Sequence, residues 1–154
     1  MRISEHVSYR EATRSNTAKR RGIDNIPSVE QLDRIKVLCK KVFEPLRKHL
    51  GIPIFISSMF RSPGLNKAIG GAKNSQHLAN NGAAMDLDAQ IFGGTTNREI
   101  GNYIRQNLEF DQLIYEDWDD GDYAWIHCSY NEGNNRNEVL VMKRINGKVG
   151  YERY

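Results

Sequence analysis

Hydrophobic positions in the first third of the chain recur at the spacing of an amphipathic helix. Ser28 and Gln31 form a capping-box pair, and apolar residues then return every three to four positions. These positions are Leu32, Ile35, Leu38, Cys39, Val42, Phe43 and Leu46. Pro45 is expected to kink this helix near its end, and Gly51 is expected to close it. A shorter helix is predicted around Tyr9–Lys19.

Polar start signals predict two further helices. Ser62 followed by Pro63 is typical of an N-cap with proline at the first helical position, so SPGLNKAIGG is predicted to form a short helix. Thr96 and Glu99 cap a helix predicted over residues 97–108. Its predicted inner face consists of Ile100, Tyr103, Ile104 and Leu108.

The remaining apolar segments are predicted to be strands. They are residues 52–58, 82–89, 111–116, 124–130 and 138–144, with a last short strand after the turn at 146–148. Helices therefore come early in the chain, and strands able to pair in antiparallel fashion come late. This order predicts one α+β domain over residues 1–154, with helices packed on a mainly antiparallel sheet. Residues 1–27 are predicted to be a basic, partly irregular segment.

The composition is that of a globular domain. The chain has 154 residues, of which 39% are hydrophobic and 27% are charged. No apolar run approaches the roughly 20 residues that a membrane span needs, so membrane insertion is not expected. Residues 1–16 lack the apolar centre of a signal peptide, which predicts a protein made in the cytoplasm. Cys39 and Cys128 form no CxxC pair, and a disulfide framework is not expected.

The net charge of +3 is unevenly distributed. Residues 1–48 contain 12 Lys/Arg against 6 Asp/Glu, and residues 49–154 contain 10 against 13. The basic excess could attract a polyanion such as nucleic acid or an anionic cell wall, but a solvated surface is the simpler interpretation. No aromatic residues alternate with these charges as they do in single-strand binding surfaces, so nucleic-acid binding is not expected.

Candidate chemistry lies in NSQHLANNGAAMDLD (74–88), where a histidine in a polar loop precedes carboxylates in an apolar strand. Side chains alternate between the two faces of a strand. Asp86 lies in the predicted strand 82–89 and His127 in the predicted strand 124–130. If these two strands lie in one sheet, both side chains can project into the same cleft. His77 could reach both from the preceding loop.

Two imidazoles and one carboxylate form a common catalytic zinc shell, which leaves the fourth tetrahedral position open to water. Ligation would also compensate the cost of burying these polar groups. Each residue has an ordinary structural interpretation as well. His77 could be a loop histidine, Asp86 could cap a turn, and His127 could be a hydrogen-bonded core residue. Spacing alone leaves both interpretations open.

Several motifs, in the same order, resemble the zinc D-alanyl-D-alanine carboxypeptidase family, which includes vancomycin-resistance dipeptidases and phage L-alanyl-D-glutamate endopeptidases. They are Arg61 to Pro63 with Leu65-Asn66, Ser75 to His77, Gly82 to Asp86, and Trp125 to His127. The resemblance extends upstream to RSNTAKRRGIDNIPS, which is typical of a phage and prophage branch, and it covers nearly the whole chain.

The resemblance implies roles for particular residues. His77, Asp86 and His127 would hold one zinc ion. Arg61 would face the site, where a guanidinium can clamp a substrate carboxylate or stabilise a developing oxyanion. Ser75 would bind substrate or brace the histidine loop. Asn66 is expected to be a structural helix residue.

The sequence departs from the usual family pattern in two places. The loop between His77 and Asp86 is two residues longer; because such insertions cost little free energy, ligation should survive with a changed pocket shape. Many members place their general base three residues before the last histidine, where this chain has Ala124. Glu116 is predicted to replace it, because related phage-branch sequences resemble this one in ending that strand with glutamate. Asp122 is the second candidate.

The resemblance implies a zinc metallopeptidase that hydrolyses a peptide bond in bacterial peptidoglycan. It could be a D,D-carboxypeptidase or an endolysin-like stem-peptide endopeptidase. The expected partner is the peptidoglycan stem peptide, and the expected state is a monomer. A phage lysin without a signal peptide would reach the host cell wall after membrane permeabilisation. Ala124 keeps an alternative open, in which the chain is a catalytically inactive, zinc-stabilised binding or structural domain of phage origin.

Overall fold

A six-stranded sheet carries both strands of the candidate site. The computed structural model describes residues 1–154, and the strand order is β3-β4-β6-β5-β7-β8. These strands are β3 (Phe55–Ser58), β4 (Ala83–Asp88), β5 (Gln112–Asp119), β6 (Asp122–Tyr130), β7 (Glu138–Ile145) and β8 (Lys148–Arg153). Only β5 and β7 pair in parallel; all other neighbours are antiparallel.

The helices lie mainly in the first two thirds of the chain. They are α1 (Tyr9–Thr13), α2 (Asn16–Arg21), α3 (Val29–Leu38), α4 (Glu44–Leu50), α5 (Pro63–Ala68) and α6 (Asn97–Asn107), with a 3₁₀ turn at Gln76–Leu78. None of these helices is long and apolar enough to cross a membrane. The predicted α+β class is confirmed.

The predicted helix start signals act as expected. Ser28 Oγ accepts a hydrogen bond from the Gln31 amide, while Gln31 Oε1 accepts one from the Ser28 amide, which completes the capping box of α3. Ser62 Oγ accepts from the Leu65 amide at the start of α5. Local sequence therefore determines where these helices begin.

The helix irregularity expected at Pro45 lies just before that residue. Residues Cys39–Phe43 form a π-helical segment between α3 and α4. Because proline lacks an N–H group and its ring crowds the carbonyl four residues earlier, the wider turn relieves a local conflict. Gly51 then ends α4 with a left-handed φ of 67°, as its position predicts.

The N-terminal segment is more ordered than its sequence predicts. Strands β1 (Arg2–Ser4) and β2 (Val7–Ser8) form a short hairpin, and the single helix predicted over Tyr9–Lys19 is divided into α1 and α2. A new cap at Ser15, whose side chain accepts from the Ala18 amide, starts the second helix. The Ala12 carbonyl accepts from the Phe60 amide and ties this region to the domain.

The two faces of the sheet differ in character. Met85 and Leu87 of β4 and Ile126 and Cys128 of β6 belong to the apolar core, against which α3 and α6 pack. Gly101 of α6 permits this close approach, because a Cβ there would lie 2.4 Å from the Tyr115 ring. The intervening residues of the same strands face the other way, and they carry the candidate site.

Candidate metal centre

Strand register brings the two strand-borne candidate ligands together. Asp86 of β4 pairs directly with His127 of β6. On the next strand, Ile114 pairs with His127 and Glu116 pairs with Trp125. Because cross-strand partners project to the same face of a sheet, all five side chains lie on the face opposite the apolar core.

His77 enters the site from the 3₁₀ turn Gln76–Leu78. Ser75 precedes this turn, and its Oγ accepts a hydrogen bond from the His77 amide at 3.3 Å. His77 Nδ1 lies 2.6 Å from the carbonyl oxygen of Met59 and donates to it. This bond fixes the tautomer and orients Nε2, the remaining ring nitrogen, toward Asp86.

The ligand atoms have the separations of a compact metal shell. His77 Nε2 lies 3.3 Å from Asp86 Oδ2, and His127 Nδ1 lies 3.0 Å from Asp86 Oδ1. One ligand atom from each residue lies within 4.8 Å of the others. In a tetrahedral site with zinc–ligand bonds of 2.0–2.1 Å, adjacent ligand atoms are about 3.3 Å apart. The observed spacing fits such a site.

The acceptor atoms at this centre favour a cation between the three residues. Burial lowers the pKa of His77 below its ordinary value, although Asp86 opposes the change. Burial acts to raise the pKa of Asp86, but the interactions with His77 and His127 outweigh it and hold that pKa well below its usual range. Because Nδ1 donates to the Met59 carbonyl, the neutral form of His77 directs its Nε2 lone pair at a carboxylate oxygen of Asp86. Two facing acceptors repel each other, and a metal cation removes this conflict.

A cavity of about 660 Å³ joins these residues to the other predicted site residues. Arg61, Ser75, His77, Asp86, Glu116 and His127 all line it. Arg61 Nε donates to Ser58 Oγ at 3.2 Å, and Arg61 Nη2 lies 3.4 Å from Asp86 Oδ2. The structure thus brings together every residue that the sequence placed in the site, apart from the second candidate for the general base.

Glu116 is a buried acid, and the surrounding protein does little to stabilise its ionised form. It is 6% exposed, and no protein hydrogen bond contributes to its ionisation. Burial is the main cause that raises the pKa of Glu116 to about 7; His127 opposes the increase and Asp86 adds to it. A carboxyl group with such a pKa can both accept and release a proton near neutral pH.

Asp122 lies outside the cavity. Its two carboxylate oxygens accept hydrogen bonds from the Asn97 and Arg98 amides at 2.9 and 2.8 Å, so it caps the start of α6. The β5–β6 turn directs Asp122 toward the helix and away from the metal-ligand side. Ala124 does not line the cavity either. Of the two predicted general bases, Glu116 is therefore the one that lines the cavity.

Asn66 has the structural position expected for it. The side-chain Nδ2 of Asn66 donates to the backbone carbonyl of Ala72 at 2.9 Å. The backbone carbonyl of Asn66 accepts from the Gly71 amide, also at 2.9 Å. These bonds fix the turn that follows α5 and leads toward Ser75. Gly71 is needed for this arrangement, because a Cβ there would lie 2.1 Å from Asn66 Oδ1.

One buried network beside the site was missed by the sequence interpretation. Asp111, 2% exposed, accepts from Gln76 Nε2 at 2.6 Å and from Arg136 Nε at 2.9 Å. It thereby connects the turn that carries His77 with the loop before β7. The sequence does contain a signal for this network, a carboxylate at the first position of an apolar strand. The strand prediction over residues 111–116 gives that carboxylate no separate role.

The raised pKa of Glu116 predicts how the stability of the metal-free protein depends on pH. The folded protein keeps this proton up to about pH 7, whereas the unfolded chain releases it near pH 4.5. The folded state binds more protons in this range, so the free energy of unfolding falls as the pH rises through it. We expect metal-free Glu116→Gln to gain about 2 kcal/mol over wild type between pH 4.5 and pH 8.

Urea unfolding of both metal-free proteins at several pH values measures this difference. All other titrating groups are common to the two proteins, so the comparison isolates Glu116. A difference that is constant across the range would show that Glu116 titrates normally in the folded protein.

Comparison with known protein families shows a match over most of the chain. A family model described as Peptidase M15 matches residues 5–129. This region contains the three candidate metal ligands, Arg61, Ser75 and Glu116, and it ends within β6. No curated protein matches the chain.

Proposed function

Because the chain belongs to the peptidase M15 family, the family of zinc D-alanyl-D-alanine carboxypeptidases, we propose that it is a zinc-dependent enzyme that hydrolyses a peptide bond in the stem peptide of bacterial peptidoglycan. One observation carries the proposal: the ligand atoms of His77, Asp86 and His127 converge to within 4.8 Å of one another. They do so in a cavity that Glu116 also lines.

His77 Nε2, His127 Nδ1 and an oxygen of Asp86 would hold the zinc ion. A zinc ion bound there would polarise the scissile carbonyl and lower the pKa of a water molecule to about 7. The Met59 carbonyl, through its bond to His77 Nδ1, keeps this imidazole oriented. Removing a hydrogen-bond partner of this kind from a metal-binding histidine typically lowers metal affinity 10–100-fold.

Glu116 is the group that moves protons. Its carboxylate takes a proton from the attacking water and then holds it on a carboxyl oxygen. Burial raises the pKa of Glu116 in the metal-free protein, and a buried carboxyl group of this kind can return that proton to the leaving amine. The amine then departs neutral, and Glu116 is again ready to act as a base.

Arg61 stabilises negative charge on the substrate. Its guanidinium is held by Ser58 Oγ and by Asp86 Oδ2, which limits its motion. The remaining N–H groups can donate to the carbonyl oxygen as charge develops there, or to a substrate carboxylate. Ser75 braces the His77 turn through its hydroxyl and also lines the cavity, so both roles foreseen for it remain part of the proposal.

The alternative of an inactive, zinc-stabilised binding domain rests on Ala124. The burial of Glu116 in the metal-ligand cavity favours the enzyme instead, because a carboxylate from the neighbouring strand takes the place of the missing base. Burying this acid without hydrogen bonds costs stability, a cost that a proton-transfer role explains. An origin in a phage lysis system, with action on the wall after membrane permeabilisation and as a monomer, belongs to the same proposal.

Digestion of purified peptidoglycan, followed by mass analysis of the released fragments, tests the function. We expect stem-peptide fragments to appear with the zinc-loaded protein and to disappear when a chelator removes the metal. Restoring zinc should restore release. The masses also separate loss of a terminal D-Ala from cleavage inside the stem peptide. Intact peptidoglycan after treatment with the zinc-loaded protein would favour the binding-domain alternative.

A further inference from the structure

The β7–β8 hairpin forms one wall of the cavity, although it lies beyond the region that the family model matches. That match ends at residue 129, whereas β7 begins at Glu138. Leu140 of β7 and Tyr151 of β8 nevertheless line the same cavity as the metal ligands. This wall is therefore a part of the site whose role the family match does not supply.

Strand register places Tyr151 level with Glu116. The parallel pairing of β5 and β7 runs to Tyr115 and Val141, so Glu116 and Met142 follow at the next position. Met142 in turn pairs with Tyr151. With strands about 4.8 Å apart, the backbone of Tyr151 lies about 10 Å across the sheet from that of Glu116. The tyrosine stands on the same face, at the far side of the acid from Trp125.

The ring of Tyr151 is free to contact a ligand. It is 54% exposed on an edge strand whose residues are all exposed. Neighbouring aromatic residues are engaged within the protein: Trp118 packs edge-on against Tyr123, and Tyr154 stacks on Tyr115 beneath the Arg105 guanidinium. Tyr151 has no ring contact of this kind. A large, unpartnered aromatic ring at the edge of a polar cavity is typical of a ligand-contact residue.

We propose that Tyr151 binds substrate, packing its ring, together with Leu140, against the portion of the stem peptide that lies on the Glu116 side of the metal ligands. The ring offers a flat apolar surface to the aliphatic side chains and amide planes of the peptide. This inference rests on the proposed function, because it takes the stem peptide as the ligand. It makes the hairpin a determinant of which peptides the enzyme accepts.

Binding to a protein that cannot turn the substrate over tests this role directly. Calorimetric titration of zinc-loaded Glu116→Gln with a purified stem peptide gives the reference Kd. Adding Tyr151→Ala is expected to raise that Kd about tenfold, the effect of one well-packed aromatic contact. In the otherwise unchanged enzyme, Tyr151→Ala is expected to raise KM by a similar factor with kcat within about twofold, because the contact serves ground and transition states alike.

Tyr154→Ala is the matched control. It removes the same side chain from the same end of the chain, but Tyr154 does not line the cavity. We expect it to leave Kd and KM unchanged, and thermal melting shows whether either variant is unfolded. An unchanged Kd for Tyr151→Ala in a protein whose wild type cleaves stem peptides overturns the role of Tyr151 alone. A zinc-loaded protein that neither binds nor cleaves the stem peptide overturns the proposed function as well.

Discussion

Replacing Glu116 with glutamine is expected to lower kcat about 10³-fold without reducing zinc content. Glutamine keeps the size and burial of the side chain, but it can neither accept a proton from water nor return one to the leaving amine. General acid–base groups typically contribute 10²–10⁴-fold to rate. Steady-state kinetics on stem peptide, together with metal analysis of the same preparation, measures both quantities.

Asp122→Asn is the matched control for this change, because it also removes one carboxylate from the β5–β6 region. Asp122 accepts two backbone hydrogen bonds at the start of α6, and loss of its charge there should cost about 1 kcal/mol of stability or less. Its kcat should stay within about twofold of wild type. A large loss of kcat in Asp122→Asn, with Glu116→Gln still active, would reverse the assignment.

The helix starts could be predicted because their causes are local. A serine hydroxyl three residues before a backbone amide determines where α3 and α5 begin, whatever packs around them. The π-helical segment before Pro45 depends instead on how a whole helix accommodates one missing donor. The sequence could place the disturbance near Pro45, but not its form.

The metal ligands could be predicted only in part. Alternation along a strand puts Asp86 and His127 each on a definite face, but it does not say which strands are neighbours. In the structure β4 pairs with β6, and β5 lies on the far side of β6. Only this strand order places Asp86 directly opposite His127 on one side and Glu116 diagonally across from His127 on the other. Strand order is a property of the complete sheet, which no single segment specifies.

The residues whose surroundings the sequence could not show are polar groups whose partners lie far away along the chain. The sequence offers Asp122 as a second candidate for the general base, whereas in the structure its carboxylate accepts hydrogen bonds from backbone amides 24 and 25 residues earlier in the chain. The sequence pattern predicts Asp111 only as the first residue of a strand, whereas in the structure its carboxylate accepts hydrogen bonds from Gln76 and Arg136. Sequence identifies a costly buried carboxylate; only the fold shows which donors compensate it.

Loss of a histidine ligand is expected to have the largest effect on the metal centre. His77 Nε2 and His127 Nδ1 lie close to different carboxylate oxygens of Asp86, and removing one imidazole leaves two protein ligands. Changes to outer partners of a metal ligand typically cost 10–100-fold in affinity. His127→Ala should therefore weaken zinc binding more than about 100-fold and abolish peptide cleavage. Competition with a zinc chelator of known affinity measures the change.

Two other histidines make this expectation specific. His49 stacks on Tyr103 with ring centroids 3.9 Å apart, and His49→Ala should keep one tightly bound zinc ion. His6 belongs to a second group of potential ligands with Glu5 and Glu44. Glu5 and His6 are exposed, and His6 Nδ1 already lies 2.7 Å from Glu44 Oε2, so His6→Ala should also keep the ion. Tight zinc binding that survives His127→Ala but is lost in His6→Ala would move the metal to the N-terminal hairpin and leave Glu116 without a catalytic partner.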